Sequence, residues 1–301
     1  MKAHGLALIL LTFPVLAQAQ SAPQPPQVVG EPETIYSDAQ REKDDATARR
    51  FVQSYLEPEG TLDMQFARWK QKVCPKVYGM KPVATWIIEH RIKDIAEKVG
   101  APVDRADPCL KPNLLVVVSP QPQAALDSIA DKAPILVAMA GTQIKRLTIK
   151  YPIQSWYVSL VRDNNGRLLA DVESPDGNPP HIHAGLSRLY TGLSPEMGMA
   201  TVIIDANAAN GVAVNGIADY AALVGLSQTV QRGVCQPVPT IANLMLKGCD
   251  PENMSNSITD LDVAMLTGLY HAPDRPEQLH KIFIVKAMKE ALAKGQNTFP
   301  P

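Results

Sequence analysis

The spacing of apolar residues predicts two helices that each bury one face. Within 82–99 the apolar residues recur at intervals of 4, 3, 1 and 3, at Ile88, Ile92, Ile95, Ala96 and Val99. Pro82 suits the first turn of this helix, and Gly100 suits the position just after its end. Within 214–228 an i, i+3, i+4, i+7 stripe is formed by Ile217, Tyr220, Ala221 and Val224. Weaker helical patterns cover 46–57, 122–131, 257–271 and 276–295.

Shorter apolar segments predict strands. The continuous runs at 113–119 and 200–205 are typical of strands covered on both faces, and a further strand is predicted at 72–78. Within 147–171 side chains alternate around an Asn-Gly dipeptide at 165–166, which favours a tight hairpin turn. Because strands and helices are mixed at first and the C-terminal third is helical, we predict an α+β fold with a mixed sheet and a β-hairpin.

The N-terminus has the three parts of a secretory signal peptide. Lys2 supplies positive charge, residues 6–16 are mostly apolar, and the triplet at 17–19 is an Ala-Gln-Ala cleavage site. We predict cleavage between Ala19 and Gln20, which places the mature protein in the periplasm or outside the cell.

The remainder of the chain divides into two parts. Residues 20–45 are rich in Pro, Gln and charge, so we expect a disordered leader, and 46–301 form a single α+β domain. No cysteine follows the apolar part of the signal peptide, so a lipid anchor is not expected. No later apolar run is long enough to predict a transmembrane segment.

Four cysteines become disulfide candidates in an oxidising compartment. They fall into two pairs that are local in sequence, so we predict bonds between Cys74 and Cys109 and between Cys235 and Cys249. A zinc site made of all four thiolates is the alternative, but it favours close C-x-x-C spacing, which is absent.

The charge balance argues against nucleic acid as a partner. The formal net charge is -1, from 29 basic and 30 acidic residues. No basic block is present to neutralise phosphates, which is where nucleic-acid binding begins.

The order of elements resembles an uncharacterised family of secreted bacterial proteins whose domain is similar to a zincin-type metallopeptidase domain. The resemblance covers about 60–295 and rests on a series of short segments: FARWKQKV, the helix 82–99, NLLVVVS, TVIID, GIADYAALVGLSQ, TIANLML and ITDLDVAMLTGLYHAPDRP. It implies that 215–228 is the counterpart of the zincin active-site helix. That helix needs H-E-x-x-H, which puts two zinc ligands and a general base on one face.

The chain contains no H-E-x-x-H, and the only acid in 215–228 is Asp219. The resemblance therefore implies a pseudoenzyme scaffold without peptidase chemistry, and no catalytic residue carries over. Asp219 and Tyr220 could line a groove, although the place of Tyr220 in the apolar stripe favours core packing.

The sharpest candidate for chemistry is His181-Ile182-His183. On a strand, residues i and i+2 share a face, so both imidazoles could bind one zinc ion. A catalytic zinc needs a third ligand, for which Glu173, Asp176 and His271 are candidates. The preceding SPDGNPP segment is typical of turns, so a pair of solvated loop histidines is the alternative.

The remaining candidates favour structural roles. We expect His90 on a helix surface, His280 within the closing helix, and Asp260 and Asp262 at the start of a helix, where acids complement its dipole. No nucleophile elbow, P-loop or dinucleotide fingerprint occurs.

The sequence therefore predicts a secreted or periplasmic protein without catalytic activity or cofactor. Its expected partner is a protein, peptide or other envelope component. The alternative is a metal-dependent hydrolase that uses zinc at His181 and His183.

Overall fold

The computed structural model describes residues 38–56, 65–137, 147–163, 166–168, 193–230, 233–273 and 277–294. Its helices are α1 (Asp38–Tyr55), α2 (Pro82–Lys98), α3 (Pro122–Lys132), α4 (Val214–Leu226), α5 (Asp260–His271) and α6 (Glu277–Lys294). Its strands are β1 (Pro75–Tyr78), β2 (Leu114–Ser119), β3 (Ile153–Asp163) and β4 (Leu193–Asp205). The predicted α+β class is confirmed.

The four strands form one mixed sheet in the order β1-β2-β4-β3. β1, β2 and β4 are parallel, and β3 runs antiparallel to β4. The register pairs Leu114 with Ala200 and Ile153 with Ile204. Parallel strands need long crossover connections, and α2 provides the first one, between β1 and β2.

The two faces of the sheet are covered unequally. β2 alternates between fully and partly buried residues, and Leu114, Val116 and Val118 belong to the main core. Residues of all the helices except α3 contribute to this main core. On the opposite face α3 covers a smaller cluster centred on Leu126, Val137 and Ile203. The run at 113–119 is therefore covered on both faces, as its composition predicts.

Part of the predicted hairpin is described. Gly166 has a φ of 77°, which suits a tight turn, and its N–H donates to the Asp163 carbonyl at 2.9 Å. Arg162 and Leu168 then form a single antiparallel bridge. Residues 169–192 lie outside the described part of the chain, and the extended partner of β3 within the sheet is β4.

Helix α1 begins at Asp38, earlier than the helix predicted at 46–57 and inside the segment assigned to the leader. Its first two turns are almost entirely polar, so no apolar stripe marks them in the sequence. Ion pairs hold this region instead, because Asp45 contacts Arg49 within α1 and Lys289 of α6. Residues 1–37, which include the predicted signal peptide, are outside the described residues.

Both predicted disulfides are present. Cys74 bonds Cys109 and Cys235 bonds Cys249, with sequence separations of 35 and 14, and no free cysteine remains. Among the described helices, none combines the length and apolar character needed to cross a membrane.

Candidate binding pocket

A pocket lies where the end of α1, the start of β3, the middle of α4 and the segment 229–246 meet. It is partly open to solvent, and the space within it that can hold water-sized groups is about 50 Å³. Its apolar wall is formed by Ile153, Val224, Val230, Val234, Ala242 and Leu246. Its polar groups come from Tyr55, Tyr151, Gln154, Ser155, Tyr220, Thr229 and Gln236.

Tyr55 is fixed at the pocket by the way α1 ends. Its ring stacks on Phe51 with a centroid distance of 5.4 Å, and its carbonyl accepts a hydrogen bond from Val230 N–H at 2.8 Å. Leu56 then forms a β-bridge with Thr229. These contacts tie the pocket segment to the end of the helix.

The hydroxyl of Tyr55 is buried and has no hydrogen-bond partner among the described residues. The whole residue is only 6% exposed. A buried polar group without a partner costs about 1–3 kcal/mol, so native proteins rarely retain one without a reason.

Tyr220 shows the ordinary arrangement for a buried tyrosine. Its hydroxyl donates to the Ala242 carbonyl at 2.9 Å, which ties α4 to the 3₁₀ turn at Ile241–Asn243. Burial raises the pKa of both Tyr55 and Tyr220 above the ordinary value of 10.0. Both phenols are therefore neutral at physiological pH and can donate a hydrogen bond.

A hydroxyl network supports the wall behind these tyrosines. Ser155 Oγ donates to Tyr157 Oη at 2.6 Å, and Tyr157 donates to the Val224 carbonyl at 2.8 Å. Thr229 Oγ1 lies 3.0 Å from the same phenol oxygen. The network links β3, α4 and the segment after α4, so three of the pocket walls hold a fixed geometry.

The amide side chains of the pocket are already hydrogen-bonded. Gln154 accepts from Lys150 N–H at 2.9 Å and donates to the Thr148 carbonyl at 3.2 Å. Gln236 accepts from Ser54 Oγ at 2.5 Å. Among the described residues that line the pocket, Tyr55 is the one with a buried side-chain polar atom that has no partner.

Among the residues that the structure describes, the pocket lining contains no aspartate, glutamate, lysine, arginine or histidine. Charged ligands normally require a charged or metal-bearing partner when they lose their water. The lining therefore suits a neutral group with an apolar body and one hydrogen-bond acceptor.

Most of the predicted zinc site lies outside the described residues, since His181, His183, Glu173 and Asp176 all fall in the segment 169–192. The remaining candidate ligand, His271, is exposed at the end of α5. Its Nδ1 lies 2.9 Å from the Thr267 carbonyl, and its ring packs against Gly100.

The other histidines have structural surroundings. His90 stacks on Trp86 with a centroid distance of 4.0 Å, and its Nε2 lies 3.2 Å from Asp107. His280 is 1% exposed, and its Nδ1 accepts a hydrogen bond from Phe66 N–H at 3.4 Å.

The acidic candidates also serve the fold. Asp219 is fully buried and accepts two hydrogen bonds from Arg91, at 2.6 and 3.2 Å, and one from Ile258 N–H at 2.9 Å. Asp262 forms a capping box with Thr259 at the start of α5. Neither carboxylate faces the pocket, whereas Tyr220 does, in addition to its packing in the core.

One cluster within the described residues has ligand atoms close enough to hold a metal: Cys74, Asp104 and Cys109. Both cysteines are joined in a disulfide, so neither can act as a thiolate ligand. This cluster is a covalent part of the fold.

Comparisons of the chain with protein-family models, curated proteins and solved structures gave no match. The resemblance to zincin-type domains therefore remains an expectation from sequence. The pocket itself was missed by sequence reasoning, because its lining comes from segments distant in sequence that share no motif.

Proposed function

We propose that this protein is a secreted or periplasmic binding protein whose pocket receives an uncharged segment of an envelope protein or peptide. The observation that carries the proposal is Tyr55, which lines the pocket and whose buried hydroxyl has no hydrogen-bond partner among the described residues. A ligand carbonyl that accepts from this hydroxyl would recover the free energy lost by leaving it unpaired.

A peptide segment suits the pocket because it carries an apolar side chain and a carbonyl acceptor a few bonds apart on the same backbone. The apolar wall would receive the side chain, and Tyr55 would donate to the carbonyl. Since no side chain in the described part of the lining is charged at neutral pH, we expect a charged residue in the same position to lose its water without compensation.

The residues that α4 presents to the pocket argue against zinc chemistry at this place. Tyr220 and Val224 are one helical turn apart and both line the pocket. In an H-E-x-x-H helix, residues at this spacing are the two histidines that hold zinc. A phenol and an isopropyl group are poor replacements, which supports a binding role for the pocket.

Export of the protein is supported by its covalent structure. Two disulfides join all four cysteines, and disulfides persist in oxidising compartments. The signal peptide predicted at 1–19 gives the route, with cleavage between Ala19 and Gln20 as the proposed processing step.

The test is a binding screen on the purified mature protein by solution NMR, with N-acetylated dipeptide amides that have apolar, acidic or basic side chains. We expect apolar probes to shift the resonances of the pocket residues and charged probes to leave them unchanged. Tyr55→Phe should weaken the apolar probe by about fivefold or more, the value of one lost hydrogen bond.

Tyr270→Phe is the matched control, because the Tyr270 hydroxyl donates to the Leu226 carbonyl at 2.7 Å and the residue does not line the pocket. Equal binding of apolar and charged probes, or no effect of Tyr55→Phe, would contradict the proposal. Metal content of the same sample addresses the alternative: stoichiometric metal that is lost in His181→Ala and His183→Ala would support a hydrolase.

A further inference from the structure

An exposed aromatic patch lies away from the pocket, on the outer face at the start of α2. We call Tyr78, Val83 and Trp86 the Trp86 patch; these side chains are 50%, 73% and 55% exposed. The opposite face of α2 buries Ile88, Ile92 and Ile95 completely. The patch therefore contributes little to the core, and a cluster of exposed apolar side chains is a candidate surface for contact with a partner.

The tryptophan of the patch is held in one orientation. Its ring stacks on His90, its carbonyl lies 2.9 Å from His90 Nδ1, and His90 Nε2 lies 3.2 Å from Asp107. A side chain that is ordered before binding loses less conformational entropy when it is buried. This ordered ring is therefore suited to insert into a binding partner.

Two exposed lysines lie close in sequence to residues that form or support the patch. Lys81 lies between Tyr78 and Val83 in sequence, and Lys111 follows the 87% exposed Leu110, which is three residues after Asp107. Neither lysine has an ion-pair partner in the described part of the chain. Neighbouring cations are neutralised by the fold: Lys76 contacts Glu89, and Arg105 contacts Asp94 and Glu97.

We propose that the Trp86 patch docks on the anionic surface of a phospholipid membrane. Tryptophan and tyrosine favour the boundary between acyl chains and headgroups, and lysines are attracted to anionic lipids. A second copy of the chain is a poorer occupant, because a symmetric contact through this patch would bring the unpaired lysines of both copies together.

The patch also offers a direct optical reporter. The chain has three tryptophans, of which Trp69 is buried and Trp156 is half-buried, so Trp86 alone has a largely exposed ring. Its emission should shift to shorter wavelength when it enters the headgroup region, while the emission of the other two is already governed by protein surroundings.

The experiment is flotation of the purified mature protein with vesicles, together with tryptophan emission. One vesicle preparation is phosphatidylcholine alone, and the other contains phosphatidylglycerol as well. We expect binding and a blue shift only with the anionic vesicles. The Lys81→Ala, Lys111→Ala double variant should lose about 25-fold in partitioning, since each lysine near an anionic surface contributes about fivefold.

Trp86→Ala should lose binding by on the order of tenfold as well, through the apolar area withdrawn from the interface. The matched controls are Ile135→Ala, which removes another half-exposed apolar side chain, and Lys132→Ala with Lys150→Ala, which removes the same charge elsewhere. Both controls should bind as the unchanged protein does.

Three results would overturn the proposal: no flotation with anionic vesicles, flotation that Trp86→Ala leaves intact, or a dimer in light scattering that Trp86→Ala dissociates. The last result would assign the patch to self-association. The proposal is independent of the tyrosine pocket, because Tyr55→Phe should leave vesicle binding unchanged.

Discussion

At the scale of single residues, Tyr55 and Tyr220 present the same side chain with opposite hydrogen-bond states. Both are buried against the pocket, but Tyr220 donates to the Ala242 carbonyl while the Tyr55 hydroxyl has no partner within the described structure. A group that destabilises the free protein is tolerated when it has a use in the bound one. We interpret Tyr55 in this way.

Removing each hydroxyl should change stability in opposite directions. Tyr55→Phe removes an unsatisfied donor, so we expect the free energy of unfolding to rise by about 1 kcal/mol. Tyr220→Phe leaves a buried carbonyl without its donor, so we expect a fall of about 1 kcal/mol. Urea unfolding of the disulfide-intact protein measures both, and a destabilised Tyr55→Phe would show that the hydroxyl has a partner in solution.

Asp262 should make stability depend on pH. Burial is the largest influence and raises the pKa of Asp262 above its ordinary value of 3.8, although hydrogen bonds from Ile241, Thr240 and Thr259 oppose the shift. The folded protein thus holds this proton more tightly than the unfolded chain. Its contribution to stability is fully present below the unfolded pKa and is lost as pH rises through the folded pKa.

The measurement is the free energy of unfolding of the wild type minus that of Asp262→Asn, followed from acidic to neutral pH. Because asparagine does not ionise, the difference isolates Asp262 from other titrating groups. We expect this difference to fall as pH rises; a difference that grows would mean that the hydrogen bonds outweigh burial.

At the scale of elements, α2 and α4 are joined by a buried ion pair. The Arg91 side chain is 17% exposed and that of Asp219 is 0% exposed, with Nε and Oδ1 2.6 Å apart. Asp219 also accepts from Ile258 N–H, which brings in the segment before α5. The pair therefore aligns three elements, one of which carries Tyr220 into the pocket.

Breaking this pair from the arginine side should be costly. Arg91→Ala leaves a buried carboxylate without its partner, and we expect a loss of about 3–5 kcal/mol. Arg105→Ala is the control, because its partners Asp94 and Glu97 are exposed, and it should cost less than about 1 kcal/mol. Thermal unfolding of the two variants measures both losses of stability. Similar losses would contradict a special role for the buried pair of Arg91 and Asp219.

The elements with a strong apolar period could be predicted from the sequence, and those without one could not. The helix predicted over 82–99 is found at Pro82–Lys98, since its stripe packs on the sheet and its ends carry Pro and Gly. The start of α1 was missed because its early turns are polar and are held by Asp45 and Lys289 across to α6. Such a contact has no local signature.

The pocket illustrates the same limit for function. The sequence places Tyr220 in an apolar stripe, whereas Tyr55 belongs to a weaker helical pattern. The two residues come together at the pocket because α1 packs against the segment after α4. The sequence drew attention to His181 and His183, which lie outside the described residues. A motif search finds residues close in sequence, whereas this site assembles distant ones.

At the scale of the whole molecule, the two disulfides join different regions of the chain. Cys74–Cys109 links the residue before β1 to the segment that leads to Leu110 and Lys111. Cys235–Cys249 closes the segment that carries Val234 and Gln236 into the pocket. Each bond also restricts the unfolded chain.

Removing the disulfides one at a time should separate their effect on stability from their effect on the pocket. Cys235→Ser with Cys249→Ser should lower the free energy of unfolding by about 3 kcal/mol, and Cys74→Ser with Cys109→Ser by about 4 kcal/mol, because the second loop is longer. Only the first pair should weaken binding of apolar probes in the pocket. Urea unfolding measures the loss of stability, and the NMR screen measures the loss of probe binding. An equal loss of probe binding in the two double variants would contradict the expectation that only Cys235–Cys249 supports the pocket.

The strand order has a consequence for synthesis of the chain. β2 lies between β1 and β4, yet its register joins Leu114 to Ala200, so one edge of this apolar strand has no neighbour until β4 has left the ribosome. An unpaired apolar edge invites contact with other chains. The N-terminal half therefore cannot complete this sheet on its own, and we expect the edge of β2 to stay unpaired until about two thirds of the chain has been made.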